Sequence, residues 1–164
     1  MARRRQFASR LLGSATPATL RVLDLLHDGG ARLALLSNAT SEVAEAWPSC
    51  ELATRFKVTV FSCELGVAKP DREIYLAATQ RLGADPANCV YVGDGADQEL
   101  STAVALGMTA IRTTEHNDTD PYWAGIGITA LTEIPALLPI APGRQDSERS
   151  SSLASRAAAA SNSV

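Results

Sequence analysis

Cysteine is scarce in this 164-residue chain: Cys50, Cys63 and Cys89 stand far apart, and no C-x-x-C pair occurs. That spacing indicates neither a disulfide framework nor a zinc site, and it leaves the three thiols to be expected as small buried hydrophobes in a reducing cytoplasm. Long apolar runs are missing as well. None approaches the ~20 residues that a membrane span needs, so no membrane role is expected. Basic charge is thin where a core could form. Residues 1–15 carry four arginines and no acid, residues 142–164 carry three arginines, and the stretch between holds sixteen acidic residues against eight basic ones. An acidic body without a segregated basic face repels phosphate backbones, which excludes nucleic acid as a partner.

What remains is the composition of a soluble single domain, 46% hydrophobic and 20% charged, long enough to bury a core. Arg-Arg-Gln-Phe near the start has the look of a twin-arginine signal. Arg10, Pro17 and Arg21 interrupt any apolar region behind it, so a cytoplasmic location is expected. Residues 1–15 form a basic N-terminal segment, residues 16–141 the folded core, and residues 142–164, rich in Ser and Ala, a disordered low-complexity tail.

Within the core the pattern alternates. Residues 17–28 space Leu20, Leu23 and Leu26 as an amphipathic helix opened by Pro17 and stopped at Gly29-Gly30. An apolar run follows at 32–37, then a helix capped by Ser41 and extending through Trp47. Next come a β-branched strand at 57–61 and a helix capped by Asp71 and stopped by Gly83. A third strand at 89–92, a helix at 98–106, a fourth strand at 108–112 and a weak fifth at 127–131 complete the series. Strands that are apolar throughout and alternate with helices predict an α/β fold with a parallel sheet covered on both faces.

Ligands of such sheets bind beyond the carboxyl ends of the strands. Those ends read Ser37-Asn38, Ser62 through Lys69-Pro70, and Asp94-Gly95. A hydroxyl, an ammonium and a carboxylate suit phosphate and Mg²⁺. Taken singly, Ser37-Asn38 is a turn and helix cap and Lys69 a solvated loop lysine, while Glu99 reads as an ordinary acid in the first turn of the next helix and Asp97 as its N-cap. Asp94 is harder to explain structurally, because it ends a buried strand between Gly93 and Gly95, where backbone can approach a ligand closely. Other phosphate motifs fail on spacing: Gln98 stands where a dinucleotide fingerprint needs its third glycine, and no G-x-x-x-x-G-K-[ST] occurs.

In this order LLSNAT, GVAKPDREIY and YVGDGADQEL resemble motifs II, III and IV of the haloacid dehalogenase-like (HAD) hydrolase superfamily, over roughly residues 17–138. The resemblance implies a parallel Rossmann-like sheet and a Mg²⁺-dependent phosphomonoester hydrolase acting on a small phosphorylated molecule. It implies that Ser37, with Asn38 beside it, binds the transferred phosphoryl group, and that Lys69 is the catalytic cation neutralising that group and the nucleophile. It implies Asp94 and Glu99 as the metal ligands, Glu99 standing where Asp is commoner.

One part of the pattern is absent. Members of the superfamily open with a strand ending in D-x-D-x-T/V, whose first Asp is the nucleophile and second the general acid/base. Ahead of Ser37 the only acids are Asp24 and Asp28, both in the helical segment and neither after a strand. Residues 1–15 are a poor replacement and resemble the end of an inserted cap. The superfamily's usual strand order, 5-4-1-2-3, puts the absent strand between those ending at Ser37 and Asp94. Unpaired buried backbone groups cost about 1–3 kcal/mol each, so these two strands are expected to pair directly. The competing outcome is an unfilled edge through which copies self-associate. Functionally, the expectation is a HAD-type hydrolase whose chain starts late and which is inactive as it stands. A non-catalytic module for a phosphorylated ligand or a partner, and a decayed gene fragment, are the alternatives.

Overall fold

The computed structural model describes residues 15–138; the expectations for the basic N-terminal segment, up to residue 14, and for the low-complexity tail lie outside the described residues. Helix α1 (Pro17–Asp28) begins where expected. Thr16 caps it by accepting from the Thr19 N–H at 3.1 Å, Pro17 occupies the first turn, and Gly29 ends it. Its buried side chains, Val22 and Leu26, lie four residues apart on one stripe.

Strand β1 (Ala34–Ser37) pairs in parallel with β2 (Val58–Phe61), Ser37 opposite Phe61. Between them lie α2 (Ser41–Ala46) and two 3₁₀ turns, Trp47–Ser49 and Glu51–Arg55. The cap of α2 is Thr40 rather than Ser41, and Trp47 falls in the first 3₁₀ turn, where Pro48 removes the N–H that an α-helix would use. A one-turn helix α3 (Ser62–Leu65) follows β2, and α4 (Arg72–Leu82) runs from Asp71 to Gly83, whose φ of 64° requires glycine's freedom. Strand β3 (Val90–Gly93) pairs in parallel with β4 (Thr109–Thr113), and β4 with β5 (Ile126–Ile128). Helix α5 (Glu99–Ala105) joins β3 to β4, and α6 (Ile134–Leu137) follows β5.

Two apolar layers cover the strands. Ile74, Tyr75 and Ala78 of α4 and Leu100 and Ala103 of α5 pack with Val58, Val60, Tyr91 and Ala110 of the strands. Val22 and Leu26 of α1 pack with Ile111, Ile128 and Ile134. Neighbours Ala110 and Ile111 on β4 thus point to opposite layers, the period of two that a strand imposes.

Two expectations are corrected. β1 and β3 do not pair: the described strands form a two-stranded sheet, β1-β2, and a three-stranded sheet, β3-β4-β5. Direct pairing is required only where both strand edges are buried. All four residues of β1 are only partly buried, and Val90 of β3 is 39% exposed, so solvent can satisfy much of what a neighbouring strand would. Side chains join the halves instead, Tyr75 of α4 lying 5.2 Å from Tyr91 of β3 between ring centroids. The cysteines are not fully buried either. None is disulfide-bonded among the described residues: Cys63 is exposed on α3 at the strand-end rim, and Cys50 and Cys89 are half-buried.

The layer under α4 and α5 carries more of the stability than any exposed contact. Ile74→Ala, at a fully buried site, is expected to cost about 2–5 kcal/mol. Leu25→Ala, more than half exposed on α1, is expected to stay within about 0.5 kcal/mol. Urea denaturation of both variants checks the contrast.

Candidate functional site at the strand ends

Ser37 is the last residue of β1, half-buried, and no hydrogen bond engages its hydroxyl among the described residues. Asn38 follows and clamps the loop after α3: its Nδ2 donates to the Lys69 carbonyl at 2.9 Å, and its Oδ1 accepts from the Lys69 N–H at 2.7 Å. This pair of hydrogen bonds to backbone fixes the root of the Lys69 side chain beside the end of β1. Asn38 therefore acts here through Lys69.

The Lys69 ammonium reaches across to the other sheet. Nζ lies 2.6 Å from Glu99 Oε2 and 3.3 Å from the Tyr91 hydroxyl, and the side chain is 18% exposed. Glu99 opens α5 and is almost wholly buried. Its Oε2 also accepts from the Tyr91 O–H at 2.7 Å, its Oε1 accepts from the Gly95 N–H at 3.2 Å, and its main-chain carbonyl accepts from the Tyr75 O–H at 3.1 Å. Gly93 leaves the room for this, since a Cβ there would overlap the Glu99 carboxylate.

Asp94 stands at the end of β3, half-buried. Oδ1 accepts from the Ala96 N–H at 3.1 Å, while Oδ2 has only a long 3.5 Å contact from Asn117 Nδ2. The turn after it is unusual: Gly95, Asp97 and Gln98 have φ of 94°, 52° and 62°, and two of these carry side chains that disfavour that region. Gln98, not Asp97, is the cap residue of α5.

The structure thus brings Ser37, Asn38, Lys69, Asp94 and Glu99 to one rim and separates the two acids by environment. A divalent cation fits at Asp94, which keeps one oxygen lightly engaged; Mg²⁺ commonly takes one or two carboxylates, waters and a substrate phosphate. It does not fit at Glu99, whose two oxygens are met by an ammonium, a phenol and a backbone N–H from within the protein. Among the described residues no group of three or more His, Cys, Asp or Glu side chains is arranged to hold a metal. Asp24, discounted as a nucleophile, is ion-paired on the surface with Arg55 at 2.7 Å, and the hydrogen bond from that guanidinium lowers its pKa.

Sequence reasoning did not single out Tyr91, Tyr75 or residues 112–120. Tyr91 sits in an apolar strand, where its ring reads as core; a buried phenol needing a partner, two residues from the motif glycine, was the available signal. The loop after β4 is polar and without periodicity, so only its density of side-chain acceptors marked it.

The phenols give a test. Burial, with the nearby Glu99 charge adding to it, pushes the Tyr75 pKa up to about 12 from 10.0, and the same causes in the same order push Tyr91 upward. Below pH 10 both folded and unfolded chains hold these protons. Above it the unfolded chain releases them first, so stability falls as pH rises through the interval. Chemical denaturation at pH 8 to 11 is expected to show this decline, and Tyr75→Phe is expected to flatten it whatever its effect at pH 8. Equal slopes for the two proteins would count against it.

Comparison with known proteins agrees with the geometry. Residues 3–107 match the family model for haloacid dehalogenase-like hydrolases. Over 57 residues the chain is 42% identical to the glyceraldehyde 3-phosphate phosphatase of Methanopyrus kandleri, covering 35% of this chain and 24% of that protein. Over 110 residues it is 29% identical to (S)-2-haloacid dehalogenase 4A of Burkholderia cepacia, covering 66% and 47%. The crystal structure of a HAD phosphatase from Thermococcus onnurineus superposes with a TM-score of 0.70 at 26% identity, over 78% of this chain and 60% of that one. The chain therefore spans less than two thirds of each of these proteins. With the family model matching well over half its length, and with the three strand ends converging on one rim, this chain belongs to the haloacid dehalogenase-like hydrolase family.

Proposed function

We propose that the chain is the phosphate-handling core of a Mg²⁺-dependent phosphomonoesterase of this family, acting on a small phosphorylated molecule. The observation that carries the reading is that Asn38, next to Ser37, holds Lys69 while the Lys69 ammonium reaches Glu99, whose other oxygen meets the Gly95 N–H beside the lightly engaged Asp94 carboxylate. A relative of each kind is known, phosphatase and dehalogenase. The Asp94 carboxylate favours the first: bare, it repels an anionic substrate, and with a cation it balances a phosphate dianion.

Ser37 donates from its hydroxyl to a phosphate oxygen, and Lys69, held by Asn38 below and Glu99 across, supplies a point charge to the phosphate. Asp94 holds Mg²⁺, which neutralises charge on the phosphoryl oxygens when bound. Glu99 acts on the substrate only through Lys69. The attacking carboxylate belongs to the motif that this sequence does not carry ahead of Ser37, so the 164-residue chain on its own binds without turning over.

With a generic aryl phosphate and Mg²⁺, this chain is expected to show no turnover in the ordinary enzyme range of ~1 s⁻¹ or above. Inorganic phosphate with Mg²⁺ is expected to bind, and Ser37→Ala to weaken it by about fivefold, the worth of one hydrogen bond. Turnover abolished by Asp94→Ala would overturn the inactive part of the reading, and phosphate binding indifferent to both Ser37 and Asp94 would overturn the site.

A second reading rests on a separate observation, that β1 and β3 each pair along one edge only among the described residues. Such edges accept an added strand. Size-exclusion at micromolar concentrations is expected to show a species larger than the monomer; a monomer at every concentration would remove this reading and leave the phosphate site untouched.

A further inference from the structure

The segment after β4 comes back over the end of β3. Thr119 Oγ1 donates to the Asp94 carbonyl at 2.8 Å, Asn117 Nδ2 lies 3.5 Å from Asp94 Oδ2, and the Asp120 side chain lies so close over Gly95 that a Cβ there would overlap it. These are three separate contacts on two consecutive residues of the β3 turn. The loop is hung from Arg112 at the end of β4. That guanidinium is 18% exposed; its Nη1 donates to Asp118 Oδ1 at 3.1 Å and to the Asp120 carbonyl, and its buried Nε has no partner among the described residues. Arg112 pairs in register with Gly93 on one side and Gly127 on the other, so neither neighbouring strand presents a side chain beside it.

We propose that residues 114–120 form the wall of the Asp94 site, that Asn117 contacts the divalent cation held by Asp94, and that Arg112 is the positioning residue that sets the wall. The inference rests on the reading that Asp94 binds a cation. Asn117 is the side chain aimed at the one Asp94 oxygen that is lightly engaged. An amide has a donor end and an acceptor end, and rotation about its last bond presents Oδ1 in place of Nδ2. Toward the bare carboxylate Nδ2 is the favoured end; toward a carboxylate already carrying a cation Oδ1 is. The long 3.5 Å contact constrains the amide little, so the exchange breaks no strong bond. Carbonyl-type oxygens are ordinary partners of hard cations. Thr119 and Arg112 meanwhile hold the loop by contacts that the amide's rotation does not disturb.

The test is titration of the full chain with Mg²⁺ alone, followed by the backbone amide resonance of Gly95 and the side-chain amide resonances of Asn117. Both are expected to move with one midpoint, and Asp94→Asn to abolish both. Asn117→Asp, which adds a charge at an exposed position, is expected to lower the midpoint by about tenfold, and Asn117→Ala to raise it, since ligand charge and number tune such sites. Arg112→Gln is expected to raise the midpoint and uncouple the Asn117 resonances from it, and Arg112→Lys to restore part of both; thermal melts check that each variant is folded. A Gly95 resonance that titrates in an Asp94-dependent way while Asn117 stays still and Asn117→Asp leaves the midpoint unchanged would overturn the inference and spare the cation reading. A chain with no Asp94-dependent saturation would overturn both.

Discussion

A buried carboxylate organises this molecule. Glu99 is removed from solvent at the first turn of α5 and meets Lys69, Tyr91 and the Gly95 N–H. A charge so placed without partners costs several kcal/mol, and breaking such a pair from one side typically costs about 3–5 kcal/mol. The three donors come from three stretches of chain, the loop after α3, strand β3 and the turn that follows it. Each must be in place for the others to be tolerated, and Asn38 carries the constraint on to the end of β1.

That constraint gives the motifs their physical unity. Among the described residues the two sheets share no backbone hydrogen bond between their strands. What crosses between them among the described residues is the apolar layer under α4 and α5, with Tyr75 packed on Tyr91 inside it, and the chain of polar contacts Asn38, Lys69, Glu99, Gly95. Gly93 and Gly95 belong to the same argument: the first makes room for the Glu99 carboxylate, and the second lets the turn pass under Asp120 with a backbone that a side chain would strain.

Much of this was legible from the residues. The alternation of apolar runs with capped helices located each of the described strands, because short apolar runs bounded by helix signals stand out from their polar surroundings. Element ends were less legible. Thr40 rather than Ser41 is the N-cap of α2, since both can cap and only the backbone conformation decides. The separation of β1 from β3 was not legible, because it depends on how far an edge is exposed, a property of packing and not of the strand's own composition. The environments of Asp94 and Glu99 were hidden for a similar reason. Two acids five residues apart look alike in sequence, and only Tyr91, Lys69 and Gly95 N–H make one of them a buried counter-ion.

The coincidence of joint and site has a consequence for reading variants. In most enzymes the groups that hold the fold and the groups that handle the substrate are different, so a lost activity with an intact fold identifies a functional residue. Here Lys69, the charge that the proposed function offers to phosphate, is also the counter-ion of Glu99. Removing its ammonium leaves a buried carboxylate without its cation beside the contact between the two sheets, so under the proposed function a loss of phosphate binding would arrive together with a loss of stability. The two effects separate only when the partner is neutralised as well: with Glu99→Gln in the same chain the buried charge is gone, and whatever phosphate affinity Lys69 still adds is its own.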